Sequence, residues 1–215
     1  MVKIVVLGAA GTAGQRIVAE AGGRGHTVVP VVRDTAKHPA VAGVETVAGD
    51  ATDPVSVTGL AAGADAVVIA IGSWTSAPWL AAAQAVVTAV AALPQPRPYV
   101  LHVGGGATLT TPDGTRFLDL PEFPAEFLPP ARGQADALDY YREHASDAGV
   151  GWTYLSPPPV DFAVGERTGA YRTGDDQPVT DGEGRSWISY EDYAVAVVDE
   201  IGKREHDGRR FTVGY

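Results

Sequence analysis

The sequence holds no cysteine and no asparagine among its 215 residues, and its only methionine is Met1. Without cysteine there is no disulfide, no thiolate nucleophile and no Cys-based zinc or iron–sulfur centre. Without asparagine there is no N-glycosylation acceptor and no Asn-dependent catalysis. Positive charge is also scarce: 16 Lys and Arg against 26 Asp and Glu give a net charge of −10. A field of that sign repels phosphate backbones and anionic lipid, and no basic stripe offsets it. Neither nucleic acid nor a membrane surface is expected as a partner. Long apolar runs are missing too. Val2–Leu7 is short and runs into glycines, unlike a secretory leader. The alanine-rich stretch Ala77–Leu93 carries Gln84 and Thr88 and is too short for a membrane span. A cytoplasmic protein is expected. Metal-ligand patterns are absent: His26, His38, His102, His144 and His206 are scattered, and Asp175-Asp176 reads as a polar turn. No G-x-S-x-G elbow marks a serine hydrolase.

What is present is an alternating pattern. The length suits one α/β domain, and 45% hydrophobic with 20% charged residues is ordinary for a globular chain. Val2–Leu7 reads as a buried parallel strand, and Thr12–Ala21 as a helix with Ile17 and Val18 inward, ended by Gly22-Gly23. Strands are expected at Thr27–Val32 and Val44–Val47. Asp53-Pro54 signals a helix to Ala62. A strand at Ala66–Ile71, the alanine-rich helix and a strand at Tyr99–Val103 follow. Gly104–Pro130 reads as a long loop, and loops of that length are more often functional than not. A helix over Ala131–Ala148 and a strand over Trp152–Leu155 come next. The glycine-rich region 161–187 holds one expected short strand near Ala170–Arg172. Ser189–Asp192 (S-Y-E-D) is a capping-box pattern opening a helix to Ile201, and Arg210–Val213 is a final strand. The order implies an α/β doubly wound parallel sheet with helices on both faces. With no repeat and no linker, residues 1–215 read as a single domain.

The segment Gly8-Ala9-Ala10-Gly11-Thr12-Ala13-Gly14 joins the first strand to the first helix. Gly8 permits the tight turn, Gly11 lets a pyrophosphate approach the backbone, and Gly14 lets the helix pack on the strand. The helix start then offers free N–H groups and a positive dipole end to phosphates. A glycine triplet alone is weak; strand before and helix after are the context that gives it meaning. The N-terminal half therefore reads as a Rossmann site for a nicotinamide dinucleotide, held by Gly8, Ala10, Gly11, Thr12, Ala13 and Gly14. Arg33 ends the second strand, 19 residues after Gly14. An acidic residue there binds the ribose hydroxyls of NAD, whereas an arginine suits the 2′-phosphate of NADP. Arg33 favours NADP(H), and the adjoining Asp34 keeps NAD(H) in play. Asp50, in Ala48-Gly49-Asp50-Ala51, has two readings. Its carboxylate or the neighbouring Ala51 amide meets the adenine, or it caps the next helix.

Together these residues resemble the atypical short-chain dehydrogenase/reductase superfamily. The similarity is to its NAD(P)H-binding, NmrA-like branch, which includes NADH-flavin reductases and the biliverdin-reductase-B type. It rests on G-x-x-G-x-x-G (Gly8–Gly14), Val47–Asp53, Ala64–Gly72, His102–Leu109, Trp152–Pro158 and Ile188–Ala194, and covers nearly the whole chain. The resemblance implies that Gly72 and Ser73 pass along the cofactor's far ribose and diphosphate. It also implies that Gly104, Gly105 and Gly106 lie under the nicotinamide, and that Ser156, Pro157 and Pro158 meet its carboxamide. The substrate side, with a small C-terminal extension, would come mainly from 104–130 and 157–187.

One departure shapes the functional expectation. Ordinary members carry a Tyr-x-x-x-Lys pair in which Lys lowers the Tyr pKa for proton donation. Here Tyr140 and Tyr141 are followed four residues on by His144 and Ala145. The expected activity is therefore NADPH-dependent reduction of a flavin, quinone or similar planar acceptor, where position matters more than acid catalysis. The alternatives are a non-catalytic NmrA-like redox sensor and, behind it, a nucleotide-sugar epimerase. Thr108, Tyr140 and His144 are candidate proton donors with bland structural readings beside them. Trp74, Trp79, Phe117, Phe123, Phe127 and Phe162 either stack on a planar ring or pin the loops. A small-molecule substrate and a monomer or homodimer complete the expectation.

Overall fold

The computed structural model describes residues 1–215. Strand β1 (Lys3–Leu7) leads into α1 (Thr12–Gly23), β2 (Thr27–Val32), β3 (Ala40–Val41), β4 (Val44–Glu45) and β5 (Val47–Ala48). Then come α2 (Pro54–Ala61), β6 (Ala66–Ile69), α3 (Ala77–Ala91), β7 (Tyr99–Val103) and α4 (Leu128–Tyr140). The chain ends through β8 (Trp152–Ser156), β9 (Asp161–Ala163), β10 (Arg172–Gly174), β11 (Trp187–Ser189), α5 (Tyr190–Lys203) and β12 (Arg209–Gly214).

Eight strands form one sheet in the order β10-β12-β8-β7-β6-β1-β2-β5, all parallel except the β10–β12 pair. Both faces are buried, as a parallel sheet requires. Alternate residues of β1 go to opposite layers: Val5 and Leu7 meet α2, α3 and α4, while Ile4 and Val6 meet α1 and α5. In β6, Val67 and Ile69 take the first side, Ala66 and Val68 the second. This is the two-residue period expressed on both faces. The chain builds outward from β1 to β2 and β5, then crosses back to β6 on the other flank. The reversal opens a crevice between the carboxyl ends of β1 and β6, where such sheets bind ligands. The expected doubly wound α/β fold is the observed one.

Several expected elements are redrawn. The strand expected at Val44–Val47 is divided: Ala40–Val41 and Val44–Glu45 form a hairpin, and only Val47–Ala48 joins the main sheet. The hairpin turns on Ala42 and Gly43, both at positive φ (49° and 79°), the geometry of a tight two-residue turn. The strand expected at Ala66–Ile71 stops at Ile69, so that Ala70 and Ile71 become cleft wall. Helix α4 starts at Leu128, not Ala131, because Pro129 and Pro130 fit a first turn whose N–H groups have no partner anyway. It loosens at Tyr140 into a wider π-turn over Tyr141–Ala145 instead of running on to Ala148. The short strand expected near Ala170–Arg172 is Arg172–Gly174, and β9 and β11 pair in parallel as an unexpected two-stranded ribbon. The loop 104–130 contains three one-turn 3-10 segments.

One helix start is capped as its sequence predicts and a second only in part. The Asp53 carboxylate accepts the N–H groups of Val55 (3.0 Å) and Ser56 (3.3 Å). Ser189 Oγ accepts the Asp192 N–H at 3.0 Å, but only this half of the capping box forms. The Asp192 carboxylate instead accepts the amides of Thr168 (3.1 Å) and Gly169 (2.7 Å), and the Ser189 N–H donates to the Tyr215 hydroxyl.

Candidate functional site: the cleft at the carboxyl ends of the strands

The glycine turn is shaped by its neighbours. Gly8 has φ +81°, and a Cβ there would lie 2.6 Å from the Ala70 carbonyl oxygen at the end of β6. Its N–H and that of Ala9 both donate to Val31 O at 3.1 Å, which ties the turn to β2. A Cβ at Gly14 would overlap the Gly8 carbonyl and lie 2.9 Å from Ala9 Cα, so α1 rests directly on the turn. Gly11 is the N-cap of α1 and has no side chain to cap with. The amides of Thr12, Ala13 and Gly14 therefore lack a helical carbonyl and face the helix's positive end. A glycine cradle opening on such amides fits a pyrophosphate.

Next to this turn lies a cleft of about 790 Å³, within the ~300–1,000 Å³ usual for ligand sites. The turn contributes Gly8, Ala10 and Gly11; the end of β5 contributes Asp50 and Ala51; the end of β6 contributes Gly72 and Ser73. Arg33, at the end of β2, completes the set that the sequence places here. Thr12, Ala13 and Gly14 stand behind the lining, in the first turn of α1.

The β2 end sorts its charges. Asp34 Oδ1 accepts the N–H groups of Ala36 (3.0 Å) and Lys37 (3.2 Å), and its other oxygen lies 3.7 Å from Lys37 Nζ. Its carboxylate is spent on its own turn. Arg33 makes no ion pair, and Lys37 and His38, which sequence reasoning missed, line the same wall. The signal for them was only that two basic residues follow Asp34 within four positions. Asp50 accepts the Thr52 amide (2.9 Å) and hydroxyl (2.8 Å). Those bonds, with the charge of Arg33, hold its carboxyl below the usual carboxylate range. The capping reading of Asp50 does not hold, because Asp53 caps the helix while Asp50 only closes a turn on Thr52; Asp50 stays on the cleft wall.

The other expected residues lie apart from this lining. Gly104 passes under the Tyr154 ring, whose hydroxyl accepts the Gly105 N–H (3.3 Å) and donates to Gln134 Oε1 (2.5 Å). A Cβ at Gly106 would lie 2.5 Å from the Pro158 carbonyl oxygen, so the glycines and the Pro157-Pro158 segment pack backbone to backbone. Ser156 is buried, 3.2 Å from Thr108 Oγ1. Thr108 is itself buried: its hydroxyl donates to Gly105 O (2.7 Å) and its carbonyl accepts from Arg210 (3.0 Å). Arg210 is 4% exposed and pairs with Asp176. Tyr140 packs on the exposed His144 with ring centroids 4.6 Å apart, and neither lines the cleft. The structure thus does not bring Thr108, Tyr140 and His144 together. Tyr141 is buried and meets His102 Nδ1 at 3.3 Å. His102 Nε2 has no partner, and burial pushes its pKa down to about 3.

The loop aromatics divide into packed and exposed ones. Trp79 joins the core, Phe123 packs on Leu118, Ala131 and Ala135, and Phe162 packs on Tyr190 and Tyr193. Trp74 and Phe127 remain exposed and lie against each other. No group of three or more metal-ligating side chains is assembled, and no helix is long and apolar enough to cross a membrane.

Comparison with known proteins places this architecture. The NAD(P)H-binding family model matches residues 8–203, and the chain belongs to that family. The protein YwnB of Bacillus subtilis (strain 168), whose function is uncharacterized, is 37% identical over 98% of this chain and 97% of its own length. Among solved structures, a "putative exported protein" from Burkholderia pseudomallei is 36% identical with a TM-score of 0.87, both chains covered in full. A "putative NADH-flavin reductase" from Streptococcus pneumoniae TIGR4 is 34% identical with a TM-score of 0.84, covering 100% of this chain and 99% of its own. The family agrees with the resemblance read from the motifs.

Proposed function

We propose that this protein is an NADP(H)-dependent reductase that passes a hydride to a flat acceptor such as a flavin or quinone. The observation that carries the reading is the division of labour at the β2 end. Asp34 is consumed by its own turn, so the wall beside Asp50 and Ala51 presents Arg33, Lys37 and His38. Arg33, which makes no ion pair, with Lys37 and His38 beside it, suits a 2′-phosphate better than a bare ribose, because Asp34 is engaged by the amides of its own turn and by Lys37. The bound nicotinamide would supply the hydride. The chain's part is to hold the pyrophosphate on the α1 amides, orient the ribose along Gly72 and Ser73, and leave the nicotinamide end open to an acceptor. Thr108, Tyr140 and His144 supply no positioned acid in the cleft, and hydride transfer to a flavin or quinone needs little acid help. The Streptococcus relative's name points the same way. On this reading residues 1–215 act as one domain in the cytoplasm, as a monomer or homodimer. The substrate is a small molecule, and neither nucleic acid nor membrane is a partner. NAD(H) serves as the weaker cofactor.

The test is NADPH oxidation with riboflavin, FMN and menadione beside simple aldehydes and ketones. Turnover confined to the flat acceptors is expected; inertness toward all of them contradicts the proposal. The missing acid also favours a second reading, an NmrA-like sensor that binds the dinucleotide without turnover. It would show tight NADPH binding, no oxidation, and a protein partner retained in one redox state only.

A further inference from the structure

Trp74 is 75% exposed and Phe127 44% exposed, and their rings lie 6.0 Å apart between centroids at 29°. They come from separate segments, the β6–α3 loop and the turn before α4. Both segments are held. The Ser73 hydroxyl accepts the Thr75 N–H at 3.1 Å, closing a small turn with Trp74 at its tip. Gly133 of α4 rests on Ser76, and a Cβ there would lie 2.5 Å from the Trp79 ring. That contact fixes the start of α4 against the start of α3. Trp74 adjoins the cleft, since Ser73 before it and Pro78 after it are cleft lining, and Phe127 is brought there by its contact with Trp74. A tryptophan left three-quarters in water on a structured turn, paired with an exposed phenylalanine, is a surface that folding does not use.

We propose that Trp74 and Phe127 form an aromatic shelf at the cleft mouth on which the flat ring of the acceptor stacks, and that this shelf selects uncharged fused-ring acceptors. The inference rests on the reductase reading. Stacking supplies affinity without discriminating ring substituents, because any flat ring presents a π-face. The selection against charge comes from exposed Glu126, next to Phe127 in the same turn, in a chain of net charge −10. An acceptor phosphate would meet repulsion there. Riboflavin and menadione are therefore preferred over FMN.

The experiment compares wild type with Trp74→Ala, Trp74→Phe and, as a matched control, Trp187→Phe, which removes a second exposed tryptophan on β11. Two readouts are taken: kcat and KM for menadione and riboflavin, and quenching of protein fluorescence by riboflavin in the NADP-loaded protein. Trp74→Ala should raise KM and weaken riboflavin binding about tenfold, with kcat moving little and NADPH affinity unchanged. Trp74→Phe should recover most of the loss, and Trp187→Phe should behave as wild type. If Trp74→Ala binds and reduces the acceptors like wild type, the shelf is refuted and the reductase reading stands. If wild type never oxidises NADPH yet loses riboflavin binding on Trp74→Ala, the reductase reading fails and the shelf stands. If FMN binds more tightly than riboflavin, the selection against charge is overturned.

Discussion

Gly14→Ala is the substitution whose consequence the packing fixes most closely. The added Cβ would overlap the Gly8 carbonyl and lie 2.9 Å from both Ala9 Cα and Ala9 O, closer than real Cβ atoms come to anything. None of these atoms can yield. Gly8 and Ala9 are tied to Val31 by two hydrogen bonds of 3.1 Å, and Gly8 is backed by the Ala70 carbonyl. Helix α1 must retreat instead, and it carries Ile17, Val18 and Ala21, all fully buried against α5 and the sheet. Overpacking of this kind costs about 1–3 kcal/mol, against up to ~1 kcal/mol gained from helix propensity. A net loss of about 1–2 kcal/mol lowers Tm by about 2–8 °C in a chain of this size. The same retreat draws the Thr12 and Ala13 amides away from the phosphate position, so NADPH affinity should fall at least about tenfold. Gly22→Ala is the control within the same helix, because a Cβ there meets nothing within 4 Å. It should leave Tm unchanged or slightly raised and binding intact. Differential scanning fluorimetry and fluorescence titration of NADPH read both effects. A Gly14→Ala protein with wild-type Tm and affinity would falsify the account of the turn.

Three further outcomes follow from buried or capping groups. His102 is neutral in the fold with its pKa pushed to about 3, against 6.5 ordinarily. Between those values the unfolded chain binds a proton that the folded chain refuses. Stability is therefore whole above pH ~6.5 and declines as pH falls below it, by at most ~1.4 kcal/mol per unit. Urea unfolding at pH 7 and pH 5 should differ by about 2 kcal/mol more in wild type than in His102→Phe; equal differences would sink the assignment. Asp176→Ala strips the nearly buried Arg210 of its carboxylate partner and loosens the arginine that holds the Thr108 carbonyl. A loss of about 2 kcal/mol is expected, read from the urea midpoint, and no loss means that the exposed Asp176 contributes nothing. Asp53→Ala removes both cap bonds of α2 and should cost ~1 kcal/mol. Asp53→Ser should restore most of it.

The parts of this fold visible in the sequence are those with a repeating physical signal. β1, β2, β6 and β7 are dense in β-branched or apolar residues because both faces are buried, and the Gly8–Gly14 spacing encodes the turn that a Cβ would block. The hairpin β3–β4 was invisible because its turn uses Ala42-Gly43. Asparagine is the usual companion of glycine at such positive-φ sites, and this chain has none. β9 and β11 have three residues each, too few for alternation to register. Within the site, Arg33 and Asp50 were legible from their places at strand ends, and Gly72 from the family resemblance. Lys37 and His38 were not, since only the Asp34-capped turn brings them back to the cleft. The burial of Thr108 was equally hidden, because Arg210, the partner that locks it, lies 102 residues away.

The central claim is that the wall carrying Arg33 receives the cofactor's 2′-phosphate. The direct measurement is a titration of NADPH and NADH into wild type and Arg33→Ala. The account predicts tighter NADPH binding in wild type, a loss of NADPH affinity of about tenfold or more in the variant, and NADH affinity left where it was. Equal affinity for the two cofactors in wild type, or a variant that keeps its NADPH preference, contradicts it.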